Sequence, residues 1–297
     1  MIDNFAGTIA VVAGGGTGMG RELVRQLAIA GADVAFCDIA PDTMAETAAI
    51  VADQAPNSRI VTHQVDVSSE ADLEAFRDAI LAGFETDHVN LVFNNAGVTV
   101  GSNFDGMSEQ DWDWVMNINL NGVVKASRVF LPLLKDRPEA ALINTSSIFG
   151  MIAVAGQSVY HATKFGVRGF TESLAKEFKD TSVQVQCVHP GHIGTNIVAN
   201  SRFTEDDAGF LGDDFNKDEM AEMFRTKGMH PSRAAEIILN GVKRNKRRIF
   251  VGLDAKLMDL AQRITPMHYE WLLPVIILPL VLLRNTKPLK DLPESAS

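Results

Sequence analysis

Over the first 250 residues, short runs of apolar and β-branched residues alternate with longer stretches in which apolar positions recur every three or four residues. The runs predict strands at 8–13, 33–37, 59–65, 91–94, 141–145, 183–188 and 248–251. The periodic stretches predict helices at 18–30, 43–52, 70–84, 109–134, 159–178 and 232–243. Strand and helix in strict alternation is the pattern of a parallel sheet covered by helices, so the expected fold class is α/β with seven strands. No linker rich in Pro, Gly or Ser divides the chain and no longer repeat is present, which favours one domain over residues 1–253.

Two segments leave this rhythm. Residues 196–229 carry Glu205, Asp206, Asp207, Asp213 and Asp214 together with Gly209 and Gly212, and read as a solvated flap over the sheet or as a plain surface loop. Residues 254–297 read as a helical, apolar extension packed on the same domain. Within it, residues 271–283 (WLLPVIILPLVLL) hold no charge, and Arg284, Lys287 and Lys290 follow. Thirteen residues interrupted by Pro274 and Pro279 are too short for a spanning helix. Peripheral membrane contact, a subunit interface and a substrate lid remain open for this run.

Composition narrows the partners. With 27 Lys and Arg against 37 Asp and Glu, the net charge of -10 repels a phosphate backbone, and nucleic acid is not expected as a partner. Cys37 and Cys187 lie far apart and outside any CxxC or Cys/His cluster, so neither a disulfide framework nor a zinc site is expected. With no export signal visible, the expected setting is cytoplasmic and reducing, with membrane association through the apolar run as an addition.

The chemistry begins at the turn after the first strand, Ala13-Gly14-Gly15-Gly16-Thr17-Gly18-Met19-Gly20, where a helix starts at once. Bare backbone at a helix N-terminus can approach a pyrophosphate and offer it N–H donors. The spacing is GxxxGxG rather than GxGxxG, and by itself it also suits a tight βα turn. Asp38 ends the second strand, where a carboxylate can accept from ribose hydroxyls and repel a 2'-phosphate. With no Lys or Arg in the turn or directly after Asp38, NAD is expected rather than NADP.

Further along, Tyr160 and Lys164 stand four residues apart on one helix, and the ammonium is expected to draw the phenol toward neutrality for acid–base work. Such pairs are also ordinary structural features. Ser147, however, closes the strand that ends Asn144-Thr145-Ser146-Ser147 and faces the same crevice. The fourth strand ends in Asn94-Asn95-Ala96-Gly97, and the next helix holds Asn117, Asn119 and Asn121, more amide than an amphipathic helix needs.

In this order, GxxxGxG, acidic residue, NNAG, Asn-Leu-x-Gly, Ser, YxxxK and Pro190-Gly191-x-x-x-Thr195, the chain resembles the short-chain dehydrogenase/reductase family over residues 5–251. The resemblance implies a Rossmann-type doubly wound sheet and a metal-free, NAD(P)-dependent alcohol dehydrogenase or ketone reductase, working as a homodimer or homotetramer. It implies that Tyr160 is the proton donor to the carbonyl oxygen and that Ser147 hydrogen-bonds that oxygen. Lys164 would hold the nicotinamide ribose and lower the Tyr160 pKa, with Asn119 supporting a water relay. Gly14, Gly16, Thr17, Gly18, Met19 and Gly20 would cradle the pyrophosphate, and Asp66 and Val67 would meet adenine. Asn94, Ala96 and Gly97 would flank the cofactor; Pro190, Gly191, Ile193 and Thr195 would meet its carboxamide end.

Ala13, Met19 and His192 depart from the usual pattern, and His192 is either a substrate contact or a solvent-facing residue. Phe203, Phe210, Phe215, Met220, Met223, Phe224 and Met229 make the flap region greasy and adaptable, so a bulky hydrophobic secondary alcohol or ketone of cyclic, aryl or steroid type is expected. An NADPH-dependent 3-ketoacyl thioester reductase and a non-catalytic nucleotide-binding protein are the alternatives.

Overall fold

The computed structural model describes residues 2–135, 137–203 and 217–272. β1 (Ile9–Ala13) leads into α1 (Gly18–Ile29), β2 (Asp33–Asp38) into α2 (Pro41–Gln54), and β3 (Ile60–Gln64) into α3 (Glu70–Phe84). After β4 (Leu91–Asn94) come the short strand β5 (Val100–Gly101), α4 (Glu109–Met116), a π-helical turn at Asn117–Asn121 and α5 (Gly122–Leu134). β6 (Ala140–Thr145) runs through a 3-10 turn at Ile148–Gly150 into α6 (Ser158–Glu177). β7 (Val183–Pro190), β8 (Arg202–Phe203), α7 (Lys217–Lys227), α8 (Pro231–Lys243), β9 (Arg248–Val251) and α9 (Leu253–Ile264) follow, with a last 3-10 turn at Tyr269–Trp271.

Seven strands form one all-parallel sheet in the order β3-β2-β1-β4-β6-β7-β9. This is the doubly wound α/β fold. Its core has two layers because successive strand residues point to opposite faces. Ala10 and Val12 of β1 join Val34, Phe36, Leu91 and Phe93 in a layer under α1 and α8, while Ile9, Val11 and Ala13 join Ala35, Val92 and Leu142 in a layer under α3 and α5. Burial on both faces explains why the strands read as unbroken apolar runs. Ser69 and Ser108 start α3 and α4 by accepting from the N–H of Asp72 (3.2 Å) and Asp111 (3.1 Å).

The chain winds from β1 outward to β3, then returns to place β4 on the other side of β1. A crevice must open between the carboxyl ends of β1 and β4, and the turns leaving both strands meet there: a Cβ on Gly14 would fall 2.7 Å from Ala96 Cα.

Several elements differ from the sequence expectation. The single helix expected at 109–134 is widened by the π turn, where Gly122 N–H reaches the Asn117 carbonyl. The small parallel pair β5 and β8 and the helix α7 lie outside the expected elements, whereas α9 falls at the start of the extension read as helical. Residues 204–216 of the expected flap and 273–297 of the extension lie outside the described residues.

Candidate active site

The glycine turn carries its conformation in two positions, Gly14 (φ +79°) and Gly18 (φ +55°), which side chains rarely adopt. Gly20 has no room at all, since a Cβ there would lie 1.8 Å from the Gly14 carbonyl oxygen. Thr17 caps α1 without a side-chain hydrogen bond to the helix, so the first-turn N–H groups point into the crevice without a side-chain acceptor. A Cβ on Gly18 would touch the Thr195 methyl at 3.1 Å, which brings the loop after β7 against the glycine turn. Met19 packs against the α1-side core.

Asp38 is half-buried at the end of β2. Its Oδ2 accepts from Gly16 N–H (2.9 Å) and its Oδ1 from Ala40 N–H (3.3 Å), so the carboxylate is pinned beside the turn. Arg21, one residue past the turn, is committed elsewhere: it pairs with Glu46 (2.6 Å) and donates to the Gly16 carbonyl and the Thr47 hydroxyl, both at 3.0 Å. Asp66 follows β3, with its Oδ1 accepting from Ser68 N–H (2.8 Å). Val67, Ala96, Ile118 and Gly122 line a small cavity beside Ala13 and Asn94.

Asn94, which lines that cavity, also has a structural part. Its amide is buried and donates to Asn144 Oδ1 (2.8 Å) and Ser127 Oγ (3.3 Å), so its side chain holds β4 to β6 and α5. Beyond it the chain turns at Gly97, where a Cβ would face Asn119 Oδ1 and Lys164 Nζ at 3.4 Å each. Asn119, fully buried in the π turn, clasps Val98 by accepting from its N–H and donating to its carbonyl, both at 2.8 Å.

Ser147, Tyr160 and Lys164 converge at the end of β6. Tyr160 hydrogen-bonds Ser147, and the Ser147 hydroxyl accepts from Phe149 N–H (3.1 Å). Lys164, 3% exposed, donates from Nζ to the Thr145 carbonyl (3.0 Å) and lies 5.5 Å from the Tyr160 ring centroid. The electrostatics correct the expectation of an activated phenol. Burial pushes Tyr160 up to about 12, against the opposing Ser147 hydrogen bond, and burial lowers Lys164 to about 8. The ammonium sits over the ring face in a dry site, and desolvation is the larger cause of both shifts.

Three residues of the site escape sequence reasoning. His161 is the clearest: Nδ1 donates to the Phe149 carbonyl (2.9 Å) and Nε2 accepts from Val154 N–H (2.9 Å). Those two partners require a neutral imidazole, and burial lowers its pKa accordingly. His189, on β7, donates from Nδ1 to the Ser147 carbonyl (3.2 Å) and is lowered by burial to about 4. Asp254, at the start of α9, accepts from His192 N–H (2.7 Å) and fills the space a Cβ on Gly191 would need. The His192 ring packs on Phe224, 4.3 Å between centroids.

Pro190 ends β7, Gly191 N–H donates to the Val251 carbonyl (2.9 Å), and Ile193 bridges to Met229. These contacts aim 190–195 across the crevice mouth. Of the flap residues named above, the side chains of Phe224 and Met229 are described; those of Phe203, Met220 and Met223, and all of Phe210 and Phe215, lie outside the description.

The family model for short chain dehydrogenases matches residues 8–206. A Mycobacterium tuberculosis protein with a general oxidoreductase name, SadH, is 36% identical over 273 residues, covering 91% of this chain and 95% of that one. Levodione reductase of Leifsonia aquatica is 31% identical over 198 residues, covering 66% and 73%. A levodione reductase crystal structure superimposes with a TM-score of 0.73 at 26% identity, covering 86% of this chain and 98% of that one. A Burkholderia phymatum short chain dehydrogenase/reductase in complex with NAD gives a TM-score of 0.77 at 24% identity, covering 88% and 94%, and shares the fold.

Proposed function

The chain belongs to the short chain dehydrogenase family and is an oxidoreductase of that family; on that premise we propose that it transfers hydride between NAD(H) and a bulky, hydrophobic secondary alcohol or ketone. The observation that carries the reading is the convergence of Ser147, Tyr160 and Lys164 at a crevice whose opposite lip is a side-chain-free glycine turn. The turn fits a dinucleotide: Gly14, Gly18 and Gly20 leave bare backbone where a Cβ would collide, and α1 offers uncapped N–H groups to a pyrophosphate.

The cofactor, when bound, would supply the hydride as NADH or accept it as NAD. The residues of this chain do the rest. Asp38 accepts from the adenosine ribose and repels a 2'-phosphate, while Glu46 neutralises Arg21, the cation that could otherwise attract one. Ser147 orients the substrate oxygen by hydrogen bonding, and the Tyr160 phenol, protonated at neutral pH, donates its proton to that oxygen as a ketone is reduced. In the reverse direction it takes the proton back, with Asn119 and Lys164 beside Gly97. Phe149, half-buried and set edge-on to the Tyr160 ring (6.2 Å between centroids), gives the substrate an apolar contact beside Ser147, which favours hydrophobic substrates over small polar ones. Similarity to a levodione reductase supports a ketone of that bulk.

The test is NADH formation at 340 nm with NAD, then NADP, against cycloalkanols, aryl alkyl carbinols, hydroxysteroids and fatty alcohols. Tyr160→Phe should abolish turnover and keep NADH binding. Retained turnover in that variant overturns the assignment, and a clear preference for NADP with thioester substrates would favour a 3-ketoacyl thioester reductase.

A further inference from the structure

α9 has two faces of opposite use. One face buries Ala255, Met258 and Ala261 and packs, with Tyr269, on Ile148, Met151 and Ile152 of the loop that follows Ser147. Tyr269 secures that loop through its hydroxyl, which accepts from Ala153 N–H (2.8 Å) and lies 3.3 Å from the Ala153 carbonyl. The other face carries Leu253, Leu260 and Ile264 at i, i+7 and i+11, a single stripe on a helix of 3.6 residues per turn. Met267 and Trp271 continue it, and all five are between 51% and 78% exposed. Exposed Lys256 and Arg263 flank the stripe, Arg263 pairing with Asp259 at 2.8 Å.

A helix of a water-soluble surface places polar residues where these aliphatics stand, and a row of five calls for a cover. The sequence says what kind. At Trp271 the stripe runs straight into the uncharged residues 271–283, and Arg284, Lys287 and Lys290 follow within seven residues. On a chain of net charge -10, an apolar run and a group of cations thus follow the stripe directly in sequence. Apolar residues entering the acyl boundary beside cations that meet headgroups is the pattern of interfacial attachment. Among the described residues no helix is long and apolar enough to cross a membrane.

We propose that the outer face of α9, together with Met267 and Trp271, docks the protein on an anionic lipid surface. Docking there sets the loop after Ser147 one helix thickness from the bilayer, because the inner face of the same helix braces that loop.

The experiment is flotation of the full chain with vesicles of neutral phosphatidylcholine and with vesicles containing 30% phosphatidylglycerol, alongside the double variant Leu260→Glu, Ile264→Glu with the tail intact. Both substituted positions are exposed and touch no part of the candidate site, and circular dichroism with NADH binding checks that the variant is folded. The expected result is flotation with anionic vesicles, at least tenfold weaker on neutral ones or at high salt, a blue shift of tryptophan emission on binding, and loss of flotation in the double variant. Flotation undiminished by the double variant overturns the proposal, because the tail alone would then be the anchor. Failure of the full chain to float, with a halved particle mass in light scattering for the double variant, also overturns it and assigns the stripe to a second copy of the chain.

Discussion

Replacing Lys164 by Met should make the protein more stable and inactive. The ammonium is 3% exposed, and burial lowers it from 10.5 to about 8. At about 1.4 kcal/mol per unit, holding that charge inside the fold costs the native state about 3 kcal/mol at pH 7. Methionine is similar in length and carries no charge, but it leaves the Thr145 carbonyl without its 3.0 Å donor, a loss of about 1–2 kcal/mol. The net gain is about 1–2 kcal/mol, or roughly 2–4 °C in Tm for a chain of this size. The pH dependence gives the sharper check. Between pH 8 and 10.5 the folded lysine has released its proton while the unfolded one still holds it, so wild-type stability rises with pH across that window. The advantage of Lys164→Met should therefore be full below pH 8, shrink above it and, because the Thr145 carbonyl still lacks its donor, turn into a deficit of about 1–2 kcal/mol past 10.5. Differential scanning fluorimetry at pH 7, 8, 9 and 10, with turnover at pH 7 expected to fall by about 10²-fold or more, measures both halves. A lower Tm at pH 7, or a gain that persists unchanged at pH 10, would refute the idea that this lysine is held at a cost for its chemistry.

Asp38→Ala should reduce the ratio of NAD to NADP kcat/KM by about tenfold or more, read from parallel initial rates; an unchanged ratio would mean another group discriminates the ribose. Gly20→Ala places a Cβ 1.8 Å from the Gly14 carbonyl, so NADH affinity by fluorescence titration should fall by about tenfold or more while circular dichroism keeps the α/β spectrum. His161→Phe strands the Phe149 carbonyl and the Val154 N–H, at about 1–3 kcal/mol each, and should raise KM more than it lowers kcat, with His161→Gln restoring part of the loss. Because His161 and His189 are both held neutral, with folded pKa values below the unfolded 6.5, stability to urea should fall as pH drops below 6.5, by up to about 1.4 kcal/mol per unit for each.

Much of the site was legible because its signals are local. The glycine turn follows β1 with no intervening residue, and Tyr160 and Lys164 share one helix face by spacing alone. Ser147 was placed by the rule that strand ends face the crevice. What local spacing could not carry was the balance of charges at Tyr160. The proximity of Lys164 was readable from four-residue spacing, but the desolvation that raises Tyr160 and lowers Lys164 depends on how many other elements close over both groups. The structural part of Asn94 was hidden for a similar reason: its amide partners, Asn144 and Ser127, which tie it to the sheet, are 50 and 33 residues away in the chain.

By itself the sequence determined the alternation of strand and helix, the two-faced burial of the strands, the turn that only glycine can make and the side chains at hand for acid–base work. Each of these is written in periodicity or in conformational limits that act over a few residues. The tertiary structure alone decided that β4 would return beside β1 and open the crevice, that His161, His189, Asp254 and Tyr269 would hold the loops around it, and that α9 would bury one face and leave an apolar one outside. Those outcomes depend on which distant segments come to share a surface, because burial, desolvation and hydrogen-bond partnership are properties of the packed neighbourhood rather than of the chain order.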